Sequence, residues 1–265
     1  SGQGFAMNKS KAGDYSTTSG QAASGNTFNL QSNSSLLGFK GTEDLGNGLK
    51  GLFQVETNVN LTGTNNGAGA VAAGSGSTTF GAMRDSYVGV NSKYGTAMGG
   101  FLSTPYRSAL NSFDVMPGAT GDGRIEGIMG KTQYTAGTYN GTSATVGNTL
   151  ASSTRATAIA YALPTLYGIN GSIAYTGSNN TLNNQNYGAV TTTAPNMRSA
   201  MSFNLGWDGY GVGIKGAFSQ MGFDNTQTTS GVGAVQGYTS YLLGAQYTGV
   251  PGLKVAAVYN RNTVG

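Results

Sequence analysis

Residues 35–61 (SLLGFKGTEDLGNGLKGLFQVETNVNL) constrain this chain more than any other stretch. Leu49, Phe53, Val55, Thr57, Val59 and Leu61 are apolar or weakly polar, and they alternate with Lys50, Gln54, Glu56, Asn58 and Asn60. A period of two is the signature of a strand whose two faces meet different environments. Before this run, Leu37 and Phe39 alternate with Gly38 and Lys40. The connection between the two runs contains Asn47-Gly48, a pair suited to the positive φ angles of a tight reversal. The unit is a hairpin. Alternation alone does not say whether the apolar face meets a protein core or lipid. The polar face, with its lysine, glutamate and amides, suits water and has few residues able to cover a second layer.

Composition narrows the choice. Charged residues are only 9% of the 265, against about 25% in an ordinary soluble domain, while glycine reaches 45. Such a chain fits a sheet that is apolar on one side and small and polar on the other, or a secreted solenoid. Disorder fits less well, because 15 Tyr, 10 Phe and regular alternation argue for packing or lipid contact. The net charge of +4 is scattered, with no basic run, so nucleic acid is not an expected partner. Cysteine and histidine are both absent. That removes disulfides, thiolate chemistry, the usual general base and the commonest transition-metal ligands. No enzyme and no cofactor is expected.

No apolar run approaches the roughly 20 residues of a membrane helix. A chain of this kind can cross a membrane only as a closed barrel, in which every backbone hydrogen bond is satisfied between strands. It begins at Ser1 without a basic and apolar leader, so any export signal is expected to have been removed or to lie outside this sequence.

About eleven strands of membrane-crossing length follow one another, each near the 9–11 residues a tilted strand needs. Residues 1–10 look like the back half of a strand, and 80–91 is read as one strand with Ser86, Val88 and Val90 on one face and Asp85, Tyr87, Gly89 and Asn91 on the other. Residues 197–207 alternate most clearly: Met201, Phe203, Leu205 and Trp207 oppose Arg198, Ser202, Asn204 and Gly206. Short turns (46–48, 92–96, 164–168, 208–211, 248–252) alternate with long polar connections (11–26, 62–79, 105–153, 178–196, 223–237). The longest is read as irregular and, at that length, functional or disordered. One end of the sheet is tight and the other elaborate, as in outer-membrane barrels. Tyr94, Tyr167, Trp207, Tyr210, Tyr247 and Tyr259 gather near the short turns, where they read as an interfacial girdle.

The run Ser35-Leu36-Leu37-Gly38-Phe39-Lys40-Gly41-Thr42-Glu43-Asp44-Leu45-Gly46-Asn47-Gly48-Leu49-Lys50, with Phe53-Gln54-Val55-Glu56 after it, closely resembles the general porins of Gram-negative bacteria, of the betaproteobacterial and neisserial type. Asp85-Ser86-Tyr87-Val88-Gly89-Val90, Tyr94-Gly95-Thr96 and Ala158-Ile159-Ala160-Tyr161 carry the likeness along most of the chain. The resemblance implies an all-β fold, a transmembrane antiparallel barrel of sixteen strands in the full protein. It also implies a homotrimer in the outer membrane, in contact with lipid and lipopolysaccharide, passing small hydrophilic solutes and ions. It makes 1–265 one barrel domain, incomplete at both ends, with the first part of 105–153 folded into the pore as a constriction loop. Two departures stand out. Leu36 replaces the family's usual arginine, and Phe101 stands where another is frequent, so anion selectivity does not carry over.

A pore selects by width and by rows of charge on its wall. The inward loop would offer Asp114, Asp122 and Glu126, with Arg107 and Arg124. Strand parity would set Lys40, Lys50, Arg198, Lys215 and Lys254 opposite, with Glu56 and Asp85 as acids. Arg84, by the same parity, would face outward beyond the hydrocarbon band. The match of Gly46, Gly48 and Gly51 to a dinucleotide fingerprint fails, because a strand follows. Two other classes compete with a diffusion channel. An adhesin or solenoid should show a fixed repeat, and none is present. A soluble ligand-binding barrel should have an apolar interior, whereas here it would be Lys, Gln, Asn, Ser and Gly.

Overall fold

A computed structural model describes residues 5–10, 27–32, 35–59, 80–115, 125, 129, 134–139, 142–146, 155–177, 197–223 and 238–264. In chain order the elements are β1 (Phe5–Ser10), β2 (Thr27–Ser32), β3 (Leu36–Gly46), β4 (Leu49–Val59), β5 (Phe80–Met83), β6 (Ser86–Ser92) and β7 (Gly95–Ser103). They continue with α1 (Pro105–Ser112), β8 (Tyr134–Tyr139), β9 (Thr142–Val146), β10 (Arg155–Ala162), β11 (Ile169–Thr176), β12 (Met197–Gly209), β13 (Val212–Phe223), β14 (Tyr238–Tyr247) and β15 (Val255–Val264). Eleven strands form one antiparallel sheet running β3-β4-β6-β7-β10-β11-β12-β13-β14-β15, with β5 also paired to β4. β1 pairs with β2 and β8 with β9 as separate hairpins.

The two faces of the sheet invert the pattern of a water-soluble protein. Large apolar side chains lie exposed, among them Phe39, Val55, Val88, Ile159, Leu205 and Leu243. Small ones on the opposite face are buried: Ala156, Ala158, Ala160, Ala174, Ser202, Ala217, Ser219 and Ser240. On the bare face Phe203 stacks on Phe218 with ring centroids 5.2 Å apart, and Phe218 meets Tyr241 edge-on at 5.3 Å. These are cross-strand partners in register along β12, β13 and β14. Holding such side chains out in water would forgo about 1.5–3 kcal/mol each, so a contiguous band of them marks a surface made for an apolar solvent.

Reversals at one end are tight because their residues accept positive φ. Asn47-Gly48 (53°, 77°), Tyr167-Gly168 (51°, 84°) and Tyr210-Gly211 (52°, 77°) each have both residues in the left-handed region, which matches the twist of two-residue hairpins. Neighbouring reversals are hydrogen-bonded to one another. Tyr161 OH donates to the Tyr94 carbonyl at 2.6 Å, Trp207 Nε1 to that of Tyr167 at 3.2 Å, and Thr248 N to that of Gly211 at 2.7 Å.

Two sequence expectations need correction. The strand read across 80–91 is broken into β5 and β6: Thr57 pairs with Met83 but Gln54 with Tyr87, so β4 has two residues between these pairs, Val55 and Glu56, where the facing chain has three, Arg84, Asp85 and Ser86. This is a β-bulge. It turns Arg84 to the side of Glu56 rather than outward, and the two form an ion pair. The connection read as irregular between β7 and β10 holds α1 and the β8–β9 hairpin. The remaining long connections expected at 11–26, 62–79, 178–196 and most of 223–237 lie outside the described residues.

The largest fully buried side chains are Tyr106, Phe113 and Leu110, from α1 and the residue after it. They pack with Ala109 onto Ala217 of β13 and Leu242 of β14, with Ala256 and Val258 of β15 alongside. The packed centre is therefore where a connecting helix lies on the small-residue face, which positions everything described next.

Candidate functional site

The local sequence explains why α1 starts where it does. Thr104 has extended backbone (φ −62°, ψ 153°), its hydroxyl accepts from Arg107 N at 3.3 Å, and Pro105 occupies the first turn, where its missing N–H costs nothing. Pro105, Tyr106, Ala109 and Leu110 give the helix one buried face, while Ser108 is exposed.

The wall holds both ends. At the first turn Tyr106 N donates to Ser202 Oγ at 2.9 Å, and Asn204 Nδ2 donates to the Pro105 carbonyl at 2.7 Å. Tyr106 OH reaches the Tyr241 carbonyl at 3.4 Å. At the last turn Lys254 Nζ donates to the carbonyls of Ser112 at 2.7 Å and Asp114 at 2.9 Å. The short loop before β15 thus supplies a cation to carbonyls that a helix end leaves unsatisfied.

Away from the helix, charges come in pairs that bridge neighbouring strands. Arg84 joins Glu56 and also donates to Asn58 Oδ1 at 3.2 Å. Asp85 accepts from Ser103 N at 2.6 Å, from Ser103 Oγ at 2.9 Å and from Arg155 Nε at 3.2 Å. Beside them Tyr87 OH donates to Gln54 Oε1 at 3.4 Å. Near the tight turns Lys215 lies 3.6 Å from Asp208, whose carboxylate also accepts from Asn170 Nδ2 at 2.8 Å. Among the described residues Lys40 and Lys50 are exposed and make no ion pair. Lys40 is the register partner of Gln54, and Lys50 of Asp44 and Asn91.

Of the sequence-predicted residues, Lys40, Lys50, Glu56 and Lys215 are scattered along one face. Glu56 and Asp85 are brought together with arginines at the bulge. Lys40 and Lys50 sit on β3 and β4, and Lys215 on β13. Asp114 follows α1, with its backbone oxygen engaged by Lys254. Arg198 lies in β12 at the register shift between Met197 and Ser199. Asp122, Arg124 and Glu126 lie outside the described residues. Sequence reasoning missed Thr104, Ser202, Asn204 and Phe113 as the residues that seat the helix, and took Lys254 for a free wall charge. Only Thr104-Pro105 carried a local signal, a capping residue followed by a first-turn proline.

A face of this kind can line a water-filled passage. Its paired charges present local dipoles rather than a ring of one sign, and the helix is seated on the small-residue face. The comparisons agree with that architecture. A family model described as Gram-negative porin matches residues 8–265. Major outer membrane protein P.IB of Neisseria gonorrhoeae is 32% identical over 99 residues, 37% of this chain and 25% of that protein. Major outer membrane protein P.IA of Neisseria meningitidis serogroup C is 36% identical over 80 residues, 30% of this chain and 18% of that protein. Among solved structures, the anion-selective porin from Comamonas acidovorans superposes with a TM-score of 0.60 at 23% identity, over 91% of this chain and 62% of that one. Salmonella typhi OmpF in complex with daunomycin gives 0.54 at 19%, over 92% and 61%. The matched segments thus span a quarter or less of these two curated relatives and about three fifths of the two solved chains.

Proposed function

The chain belongs to the Gram-negative porin family, and from that premise we propose that it forms most of the wall of a water-filled outer-membrane channel for passive diffusion of small hydrophilic solutes and ions. In this reading the bare apolar face meets lipid and lipopolysaccharide, and the helix-bearing face lines the lumen. The full barrel closes with sixteen strands and assembles as a homotrimer. Residues 105–153 are the long loop whose first part, beginning with α1, enters the lumen and narrows it.

One observation carries the reading. A helix is buried against the small-residue face of the sheet, while Phe53, Val55, Met201 and Phe203 on the other face remain exposed. A soluble barrel or sandwich has the reverse arrangement, because the hydrophobic effect drives its large side chains together. Lys40, Lys50, Glu56, Asp85, Arg198 and Lys215 on the wall, with Asp114, Asp122, Arg124 and Glu126 on the loop, act as the selectivity groups. Paired charges such as Glu56 with Arg84 contribute transverse dipoles, and the unpaired Lys40 and Lys50 contribute net positive potential.

Reconstitution in planar bilayers tests this directly. Stepwise, ohmic conductance increments that scale with bulk salt are expected. A purified, folded protein that adds no conductance would refute the channel.

A further inference from the structure

We propose that Lys254 is the positioning residue for α1, a latch that fixes how far the helix stands into the lumen and how much voltage the open channel tolerates. The inference rests on the channel reading above and adds to it a part that moves. The two ends of α1 are held differently. Its first turn continues directly from β7 through Thr104 and is pinned to β12 by Ser202 and Asn204. Its last turn lies at the far end from that attachment, where Lys254 reaches from the wall to the carbonyl of Ser112 and to that of Asp114, two residues past the helix.

The helix has eight residues, too few to be stable by itself, so its place is set by what the wall supplies. Beyond the apolar contacts of Leu110 and Phe113, the seam offers little polar hold: Asn111 Oδ1 on the helix and both amide atoms of Asn260 on β15 are buried without a hydrogen-bond partner. An ammonium suits the task. It has three donors on a flexible stem, and its charge complements the negative end of the helix dipole. Lys254 joins residues 142 and 140 positions away in sequence, so the tether runs across the sheet rather than along the chain.

Without the cation the last turn keeps only its apolar seat, Leu110 and Phe113 on the wall, and loses the charged bonds that set its register. A transmembrane potential acts on the helix dipole and on Asp114, and it would then bias α1 toward blocking positions. Cross-section, and with it conductance, would fluctuate.

The test compares Lys254→Met and Lys254→Arg with the parent protein in planar bilayers. The chain has no cysteine, so Ser108→Cys on the exposed face of α1 takes a single spin label in each background. Lys254→Met, which loses both charged hydrogen bonds, is expected to spend at least on the order of tenfold more time in partly closed states. It should close at lower voltage and carry a more mobile label, and Lys254→Arg should restore all three. Heat-dependent gel mobility establishes that each variant is folded. Should Lys254→Met not fold, the neutral Lys254→Gln, which keeps one donor group, is read in its place. Parent-like noise, closing voltage and label mobility in the neutral variant would overturn the latch while leaving the channel intact. Absence of any conductance in the parent would instead overturn the channel reading, and the label would still decide whether Lys254 holds the helix.

Discussion

Phe113 occupies the space a side chain at residue 244 would need: a Cβ built on Gly244 would stand 2.5 Å from Cε2 of the Phe113 ring. The glycine on β14 lets the ring lie against strand backbone, and the ring closes the apolar seam under α1. Gly244→Ala should force Phe113 off the wall, costing about 1–3 kcal/mol as overpacking does. We expect lower stability to denaturant together with an altered single-channel conductance. An alanine variant that matches the parent in both would mean that the helix seat does not set the pore.

Glu56 and Arg84 face each other only because the bulge gives the facing chain one extra residue. Their side chains are 17% and 24% exposed, so water screens the pair in part. Glu56→Gln should cost about 1–2 kcal/mol through the arginine left without its partner. It should also add net positive charge to the wall, moving the reversal potential in a salt gradient toward anions. The double variant with Arg84→Met should bring the potential back, because it restores local neutrality.

Lys40 projects from the helix-bearing parity of β3 without an ion pair. Lys40→Gln should therefore shift selectivity toward cations, as the loss of one unpaired wall charge requires. The same replacement at Lys215, 3.6 Å from Asp208, would uncover that carboxylate as well and should perturb the Asp208–Asn170 contact. Reversal potentials of the two variants, measured side by side, check the expectation that Lys40 acts on ions without disturbing the wall.

Phe203 stands in the aromatic ladder of the bare face. Phe203→Arg should destabilise the protein folded in lipid vesicles by about 2–4 kcal/mol, the cost of a basic residue near the bilayer midplane. Folding titrations in vesicles measure it. A cost near zero would place that face in water.

Much of the sheet was readable from the sequence because period-two alternation reports directly on faces. Phe53, Val55, Met201 and Phe203 lie on the face their parity requires, and the short reversals fall where Asn-Gly and Tyr-Gly pairs stand. The tyrosines are informative: Tyr167 and Tyr210 hold left-handed φ angles that bulky residues rarely adopt, and their rings are almost wholly exposed. Other features left too weak a trace. The sequence Met83-Arg84-Asp85-Ser86 has no apolar rhythm that would betray an inserted residue, so parity failed at Arg84. The β8–β9 hairpin had a signal in Asn140-Gly141, overlooked in so polar a segment. The helix had one in Thr104-Pro105, a capping residue followed by a first-turn proline.

The order of residues alone decided which side chains share a face, where the chain reverses, and hence that large apolar groups are gathered on one side and small or polar groups on the other. Tertiary structure decided which polar groups meet water. Ser202 is buried and Asn204 half-buried because α1 lies over them, 96 and 99 positions away along the chain, and Lys254 is a tether rather than a free charge because the sheet carries it to the end of the helix. Alternation is a local property with no information beyond neighbouring positions, whereas these contacts exist only once strands far apart in sequence have been brought side by side in register.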